Sequence, residues 1–344
     1  MFSLYLINEA LFIKLISYIV HRMFKFIRHW SLPIAMLLGA LGYILYRLVP
    51  PLHIYAANLS DFVSVIQPVL IFCMLLAACC KIDITALRPT RLHFRLLLIQ
   101  IVGFMLCLLF ALLLPHPWSL FAEAIMICVI CPTATASAVV TQKLGGNSGS
   151  VVTYVMLINF AIALVIPAFC PMLHPRPDSD FWSSFSLIIS RVFPVMICPL
   201  LTAEILRRFL PRWHQWIASI SHLSFSIWLV ALSIAIAMTA RSIYHSHASW
   251  GIMFGIALGS MIACISQFWV GRVLGRKYGE PIAASQSLGQ KNTIFAIWLS
   301  YTYLSPIISL AGGFYSIWHN VYNSYQLAQQ RKEQSRQKVH STMN

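Results

Sequence analysis

The chain has 344 residues, of which 59% are hydrophobic and only 10% are charged, and its mean hydropathy is +0.77. Soluble domains carry about 25% charged residues, so the composition excludes an ordinary soluble protein and predicts an all-α polytopic membrane protein. The net charge of +15 does not indicate nucleic-acid binding, because the basic residues fall in short clusters between apolar spans.

Residues 1–30 form an N-terminal segment that is first apolar and then basic. A signal peptide has the reverse order, with positive charge first and a cleavage site of small residues last. The segment is therefore predicted either to lie along the membrane interface or to precede a true start at Met23, and the sequence leaves both open.

Ten apolar stretches follow, each near the length of about 20 residues that crosses a bilayer. The predicted spans are 32–49, 62–80, 94–114, 121–141, 151–173, 185–205, 216–238, 250–270, 281–299 and 303–321. The polar segment 174–180 separates five spans from five, and because five is odd, the second set runs opposite to the first. This is the topology of two inverted five-helix repeats.

The distribution of positive charge supports this count. Cytoplasmic loops carry an excess of Lys and Arg, and if both termini are cytoplasmic, 19 of the 24 Lys and Arg residues fall in inner segments. Outer segments hold only Arg47, Arg176 and Arg241. The polar, basic stretch 326–344 is predicted to be a solvated tail.

Two spans are interrupted. The fourth contains Cys131-Pro-Thr-Ala-Thr-Ala-Ser137, with a predicted break at 132–137, and the ninth contains Ser287-Leu-Gly-Gln-Lys-Asn-Thr293, with a predicted break at 289–293. Broken helices are tolerated in a bilayer only where protein or water satisfies the freed backbone. Interrupted spans in corresponding positions of two halves point to the binding site of a transporter. We therefore predict that helices 4 and 9 are broken and cross at mid-membrane.

The crossing offers N–H groups that favour anions and C=O groups that favour cations. Lys291 lies about ten residues, or roughly 15 Å, into its span, which is too deep for easy snorkelling. None of the nine acidic residues lies in mid-span, so a carboxylate cage for sodium is not expected. The residues predicted to bind an anionic or polar organic solute are Thr135, Ala136, Ser137, Lys291, Asn292 and Thr293.

All nine cysteines lie within apolar spans. They are interpreted as small packing residues and not as a disulfide framework. Cys128 and Cys131 form a C-x-x-C, but no second pair or histidine ligand is close in sequence, so no metal site is predicted beyond sodium.

These residues resemble the bile acid:sodium symporter family over about residues 31–325. The 131–137 stretch is similar to its Cys-Pro-Gly-Gly-Thr-Ala-Ser-Asn element, and Leu87-Arg-Pro89 with Gln100 is similar to the start of its third helix. Residues 289–293 are similar to its Glu-x-Gly-x-Gln-Asn-Thr element. The resemblance implies uptake of amphipathic organic anions together with Na⁺ on crossed, broken helices.

The resemblance also implies two domains. A panel domain would comprise helices 1, 2, 6 and 7 in residues 31–85 and 181–245. A core transport domain would comprise helices 3–5 and 8–10 in residues 86–173 and 246–325. The implied ion ligands are Gln100, Ser137 and Gln290.

The departures from the family pattern concern sodium. Ala138 stands where the family has Asn, Ser287 where it has Glu, and Lys291 where it has Gln. Near the expected hydroxyl ligands the chain has Val151 and Val155, although Ser150 and Thr153 could serve with a small shift in register. We therefore hypothesise that the ammonium of Lys291 replaces a bound Na⁺. Transport would then be uniport, or proton-coupled if burial allows the amine to lose its proton.

The sequence thus predicts a secondary transporter and not an enzyme, with an organic anion and the lipid bilayer as partners and no required protein partner. No cofactor other than sodium is expected, and the predicted location is a bacterial inner membrane. Two alternatives remain open. One is a receptor built on a transporter scaffold. The other is a membrane-embedded lipid enzyme, for which His245-Ser-His247 is the only close histidine pair.

Overall fold

The structure is a computed structural model that describes residues 31–50, 56–82, 87–173, 180–220, 223–245 and 248–343. The predictions for segment 1–30 and for most of the 174–180 loop lie outside these residues. The described part of the chain contains thirteen α-helices, one short 3₁₀-helix at Pro306–Ile308 and no strand. The α-helices are α1 Ser31–Leu48, α2 Ala56–Cys79, α3 Arg91–Leu113, α4 Trp118–Ile130, α5 Ala136–Lys143, α6 Ser148–Leu173, α7 Phe181–Phe209, α8 Pro211–Ser219, α9 Leu223–His245, α10 Trp250–Arg276, α11 Pro281–Gly289, α12 Thr293–Tyr303 and α13 Ser309–Met343.

Six of the described helices are long and apolar enough to cross a membrane. They are the Asp61–Cys79 part of α2 together with α3, α6, α7, α9 and α10. Two shorter helical stretches are also apolar, Ile34–Leu48 and Trp118–Ile130. Large apolar side chains such as Leu41, Leu98 and Phe254 are exposed on these helices, as expected for surfaces that contact lipid chains.

Both predicted helix breaks are present. The fourth predicted span forms α4 and α5, which are separated by the non-helical residues 131–135. The ninth forms α11 and α12, which are separated by residues 290–292. The first break is shorter than predicted, because the helix resumes at Ala136 and Ser137 is already helical.

The predicted start of the seventh span, at 216, is wrong. Residues 211–219 form the separate helix α8, which has no buried residue, and the next helix begins at Leu223. Trp213 and Trp216 are both more than half exposed on α8. The polar residues that follow Ser219 in the sequence interrupt the apolar run at this point. At its other end α9 continues beyond the predicted span, to His245, and includes Arg241.

The predicted start of the tenth span, at 303, is also wrong. Tyr303 ends α12, and Pro306 begins the 3₁₀-helix that precedes α13. Proline lacks the N–H group that a continuous helix would need at this position. At its other end α13 continues to Met343, so the residues predicted to form the solvated tail are helical.

The helices form one bundle with a shared core, in which two groups can be traced through their contacts. In the first group, α9 contacts α1 and α2, and α2 contacts α7. Helices α4, α11 and α13 all contact α10, and α3 contacts α4 and α6. Contacts between α6 and α7 and between α9 and α13 join the two groups.

Close packing of α10 on α11 fixes the position of the second break. A Cβ atom on Gly271 would lie 2.4 Å from the carbonyl oxygen of Ala284, and one on Gly275 would lie 2.5 Å from that of Glu280. Glycines four residues apart let two helix backbones approach in this way. Only glycine therefore permits this contact between α10 and α11.

Candidate functional site

The two helix breaks are hydrogen-bonded to each other. The amide of Ala134 donates to the carbonyl oxygen of Gln290 at 2.9 Å, and the amide of Asn292 donates to that of Pro132 at 2.8 Å. The two stretches thus form an isolated antiparallel β-bridge. Because each break satisfies backbone groups that the other has freed, the pair meets the condition for broken helices away from water.

The last carbonyl groups of α4 are capped by side chains from other parts of the chain. Lys291 Nζ donates to the carbonyl oxygen of Val129 at 3.0 Å. Gln100 Nε2, from α3, donates to those of Ile130 and Cys131, both at 3.1 Å. The C-terminal carbonyls of a helix lack intrahelical partners and carry partial negative charge. An ammonium group is therefore stabilised at this position.

Lys291 is almost completely buried, with 1% of its surface exposed. The thiols of Cys128, Cys131 and Cys264 lie near the Lys291 amine. The ion pairs of Glu204 with Arg207 and Arg208, within α7, do not involve it. The charge is thus balanced by carbonyl dipoles and not by a carboxylate. An ionisable residue buried in a membrane protein in this way is by default a candidate for function.

Several capping residues were not identified from the sequence. Gln267 Nε2 donates to the carbonyl oxygen of Cys128 at 3.2 Å, and the hydroxyl of Tyr315 donates to that of Gly289 at 2.8 Å. The hydroxyl of Thr133 donates to the carbonyl oxygen of Ser287. Gln267 could have been noticed as an amide inside an apolar span, and Thr133 as a hydroxyl within the 131–137 stretch. Neither feature shows which carbonyl group the side chain would bond to.

The predicted solute-binding residues differ in their exposure. Ala136 is exposed at the start of α5, Thr135 is half-buried, and Ser137 is buried with its hydroxyl donating to the carbonyl oxygen of Ala134 at 2.6 Å. In the second break, Asn292 Oδ1 caps α12 by accepting from the amide of Phe295 at 3.3 Å. Lys291 and Thr293 are also buried.

The implied ion ligands are occupied by other bonds, with one exception. Both donors of the Gln100 amide are directed at carbonyl groups, and its Oε1 accepts from the hydroxyl of Tyr154 at 2.8 Å. The Ser137 hydroxyl is bonded within its own turn. Of these three residues, Gln290 is the exception, because its Oε1 is buried with no hydrogen-bond partner among the described residues. A hard cation needs several oxygen ligands, and Gln290 supplies one unbonded oxygen here, whereas the Lys291 side chain caps a carbonyl of α4.

Comparison with known families gives one match. Residues 51–328 match the model of the SBF-like CPA transporter family (DUF4137). The matched range includes both helix breaks and all of the predicted site residues. No curated protein matches the sequence.

Proposed function

The chain belongs to the SBF-like CPA transporter family, which is related to the bile acid:sodium symporters, and we propose that it carries an organic anion across the membrane by alternating access. In this proposal Lys291 takes the place of a coupling sodium ion. The protein would then work as a uniporter, or as a proton-coupled carrier if the amine exchanges its proton during the cycle.

The observation that carries this proposal is the bond from Lys291 to α4. The ammonium caps the Val129 carbonyl at 3.0 Å while its own backbone belongs to the other break. A covalently attached cation can hold the carbonyl ends together permanently, whereas a sodium ion must bind and leave. For this reason we expect transport to need no Na⁺ gradient.

The first break supplies the side of the site that a solute would reach. Thr135 and Ala136 are the accessible members of the predicted set, and they lie where α5 begins. The N–H groups at a helix start favour an anion. We propose that the anionic group of the solute binds there, and that the buried residues Ser137, Asn292 and Thr293 form the inner wall of the site.

The packing of the helices is consistent with a moving unit and a supporting unit. In the proposed topology, ten spans form two inverted five-helix repeats with both termini in the cytoplasm of a bacterial cell. Helices α1, α2, α7 and α9 would be the panel domain, and the helices around both breaks would be the core domain. The paired breaks would then move as one body, because their hydrogen bonds join the two halves of the core.

Uptake into proteoliposomes tests the proposal. Purified protein would be reconstituted and offered a panel of radiolabelled organic anions, with and without an inward Na⁺ gradient. We expect uptake that a Na⁺ gradient does not stimulate, and we expect Lys291→Gln to reduce it about tenfold or more, as loss of roughly 1.4 kcal/mol or more would do.

Lys143→Gln is the matched control, because it makes the same chemical change at an exposed lysine at the end of α5. It should transport at the wild-type rate. Strong stimulation of the wild-type protein by Na⁺ would refute the replacement of sodium. Normal uptake by Lys291→Gln would refute the role of the amine.

A further inference from the structure

Buried polar atoms that lack hydrogen-bond partners concentrate on α11, α13 and the second break. Within the described residues no partner is found for five such atoms, Gln286 Oε1, Gln290 Oε1, Ser316 Oγ, His319 Nδ1 and Asn323 Nδ2. Buried polar groups in native proteins are nearly always bonded to protein or to ordered water. Leaving one unpaired is unfavourable, because the group loses its bonds to water and gains none in return. A group of five in one region therefore indicates bound water.

The α13 members of this group, Ser316, His319 and Asn323, are three and four residues apart and so share one face of the helix with two bonded polar residues, Tyr315 and Gln326. Tyr315, His319, Asn323 and Gln326 follow one another at intervals of four, four and three residues, which is the spacing of neighbours on a helix surface. The rings of Tyr315 and His319 are 5.7 Å apart. Since the Tyr315 hydroxyl donates to the carbonyl oxygen of Gly289, this polar face begins at the second break.

The other end of the polar face reaches a surface cavity. Gln286 Nε2, on α11, donates to Asn323 Oδ1 and to Gln326 Oε1, both at 2.9 Å. Gln326 in turn lines a cavity of about 230 Å³ between α10, α11 and α13, with Arg272 and Glu333 among its other lining residues. Polar side chains are therefore continuous from this cavity to the break.

We propose that these residues form a water-filled column that connects the cavity to the second break. Water in the column would form hydrogen bonds with the five unpartnered atoms. One of these is Gln290 Oε1, so the water would extend to the residue that precedes Lys291. The column deepens the proposed role of Lys291 and rests on it, since a buried ammonium can exchange its proton only where solvent arrives. The column lies within one group of helices and does not pass between the two groups.

Hydroxyl-radical footprinting by X-ray radiolysis of the full-length protein tests the column. Radicals formed from water oxidise side chains beside that water, even side chains that are buried. Tyr315 and Tyr154 are buried equally, with 1% and 0% of their surfaces exposed, but only Tyr315 borders the column. We expect Tyr315 and His319 to be oxidised about tenfold faster than Tyr154, since bound water is the source of the radicals. Equal, slow rates for all three would overturn the proposal.

Substitutions on α13 test where in the column the water lies. Asn323→Leu places an apolar side chain in the middle of the column and should lower the oxidation of Tyr315 and His319 to the rate of Tyr154. Asn320→Leu is the matched control, because the Asn320 amide bonds to a carbonyl of its own helix. Unchanged oxidation in Asn323→Leu would refute this route for the water. If that variant does not fold, the wild-type rates alone decide the question.

Footprinting requires neither solute nor transport, so its outcome is separate from that of the uptake experiment. Na⁺-stimulated uptake together with fast oxidation of His319 would remove the proposed role of Lys291 and leave the column. Na⁺-independent uptake together with slow oxidation of His319 would support the proposed role of Lys291 and refute the column.

Discussion

The two helix breaks are hydrogen-bonded to each other, but they lie in different surroundings. Every residue from 283 to 300, which includes the whole of the second break, is buried. In the first break Thr135 is half-buried and Ala136 is exposed, and Val139, one turn further on, is 54% exposed. One break is thus enclosed by protein on all sides, and the other has an open side.

In the proposed mechanism, this difference corresponds to different roles for the two breaks. The second break contributes the charge, because Lys291 extends from it to cap α4. The first break contributes an accessible helix start at Ala136. An inverted repeat predicts two equivalent halves, yet here one half would hold the crossing together and the other would meet the solute.

Substituting Gly289→Ala should abolish or severely reduce folded protein. A Cβ atom at Gly289 would lie 2.3 Å from Cγ of Phe268, a ring that is itself fully buried. Overpacking of this kind typically costs about 1–3 kcal/mol and sometimes more. The measurement is the yield of monodisperse protein and its thermal unfolding midpoint in one detergent. Gly42→Ala, where no atom lies within 4 Å of the added Cβ, is the control and should not lose stability. Equal behaviour of the two variants would contradict the enclosed character of the second break.

Gln100→Leu should destabilise the protein by about 2 kcal/mol, because buried partners left unpaired cost about 1–3 kcal/mol. The substitution removes the donors to the carbonyls of Ile130 and Cys131 and the acceptor for Tyr154. Gln142→Leu, at an exposed position of α5, is the matched control. Denaturant unfolding of both variants, followed by tryptophan fluorescence, provides the comparison. A Gln100→Leu protein as stable as its control would mean that the capping of α4 is not needed.

Thr133→Val and Thr135→Val should separate the two sides of the first break. Thr133→Val removes the donor to the Ser287 carbonyl and should cost about 1 kcal/mol of stability, as a typical hydrogen bond does. Thr135→Val should leave stability unchanged and weaken solute uptake about fivefold, the equivalent of about 1 kcal/mol. Unfolding and uptake measured on both proteins check this pair. The reverse pattern would place the solute on the enclosed side of the break.

The positions of the breaks and the depth of Lys291 were predictable from the sequence. Pro132 and the Gly289–Lys291 stretch interrupt apolar runs that are otherwise continuous, and such interruptions are local features. The structure confirms both breaks. The starts of the seventh and tenth spans were predicted wrongly, because the hydropathy of a whole span does not register the short polar stretch after Ser219 or the single residue Pro306, where the structure places the boundaries.

The capping partners were not predictable in the same way. Gln267, Tyr154 and Tyr315 are isolated polar residues within apolar helices, and the sequence gives no sign of which carbonyl each will meet. Gln267 bonds to a carbonyl 139 residues away along the chain. Such partners are chosen by helix packing, which depends on contacts such as that between Gly271 and Ala284.

The sequence by itself determined that the chain spans a membrane, that two of its spans are interrupted, and that one interruption carries a buried positive charge. These properties follow from composition and from local backbone chemistry. Only the tertiary structure decided that the two breaks pair, that Lys291 reaches the Val129 carbonyl 162 residues away, and that one break is enclosed while the other is open. The physical reason is that a freed carbonyl or a buried ammonium must find a partner, and the packing of distant helices determines which partner is within reach.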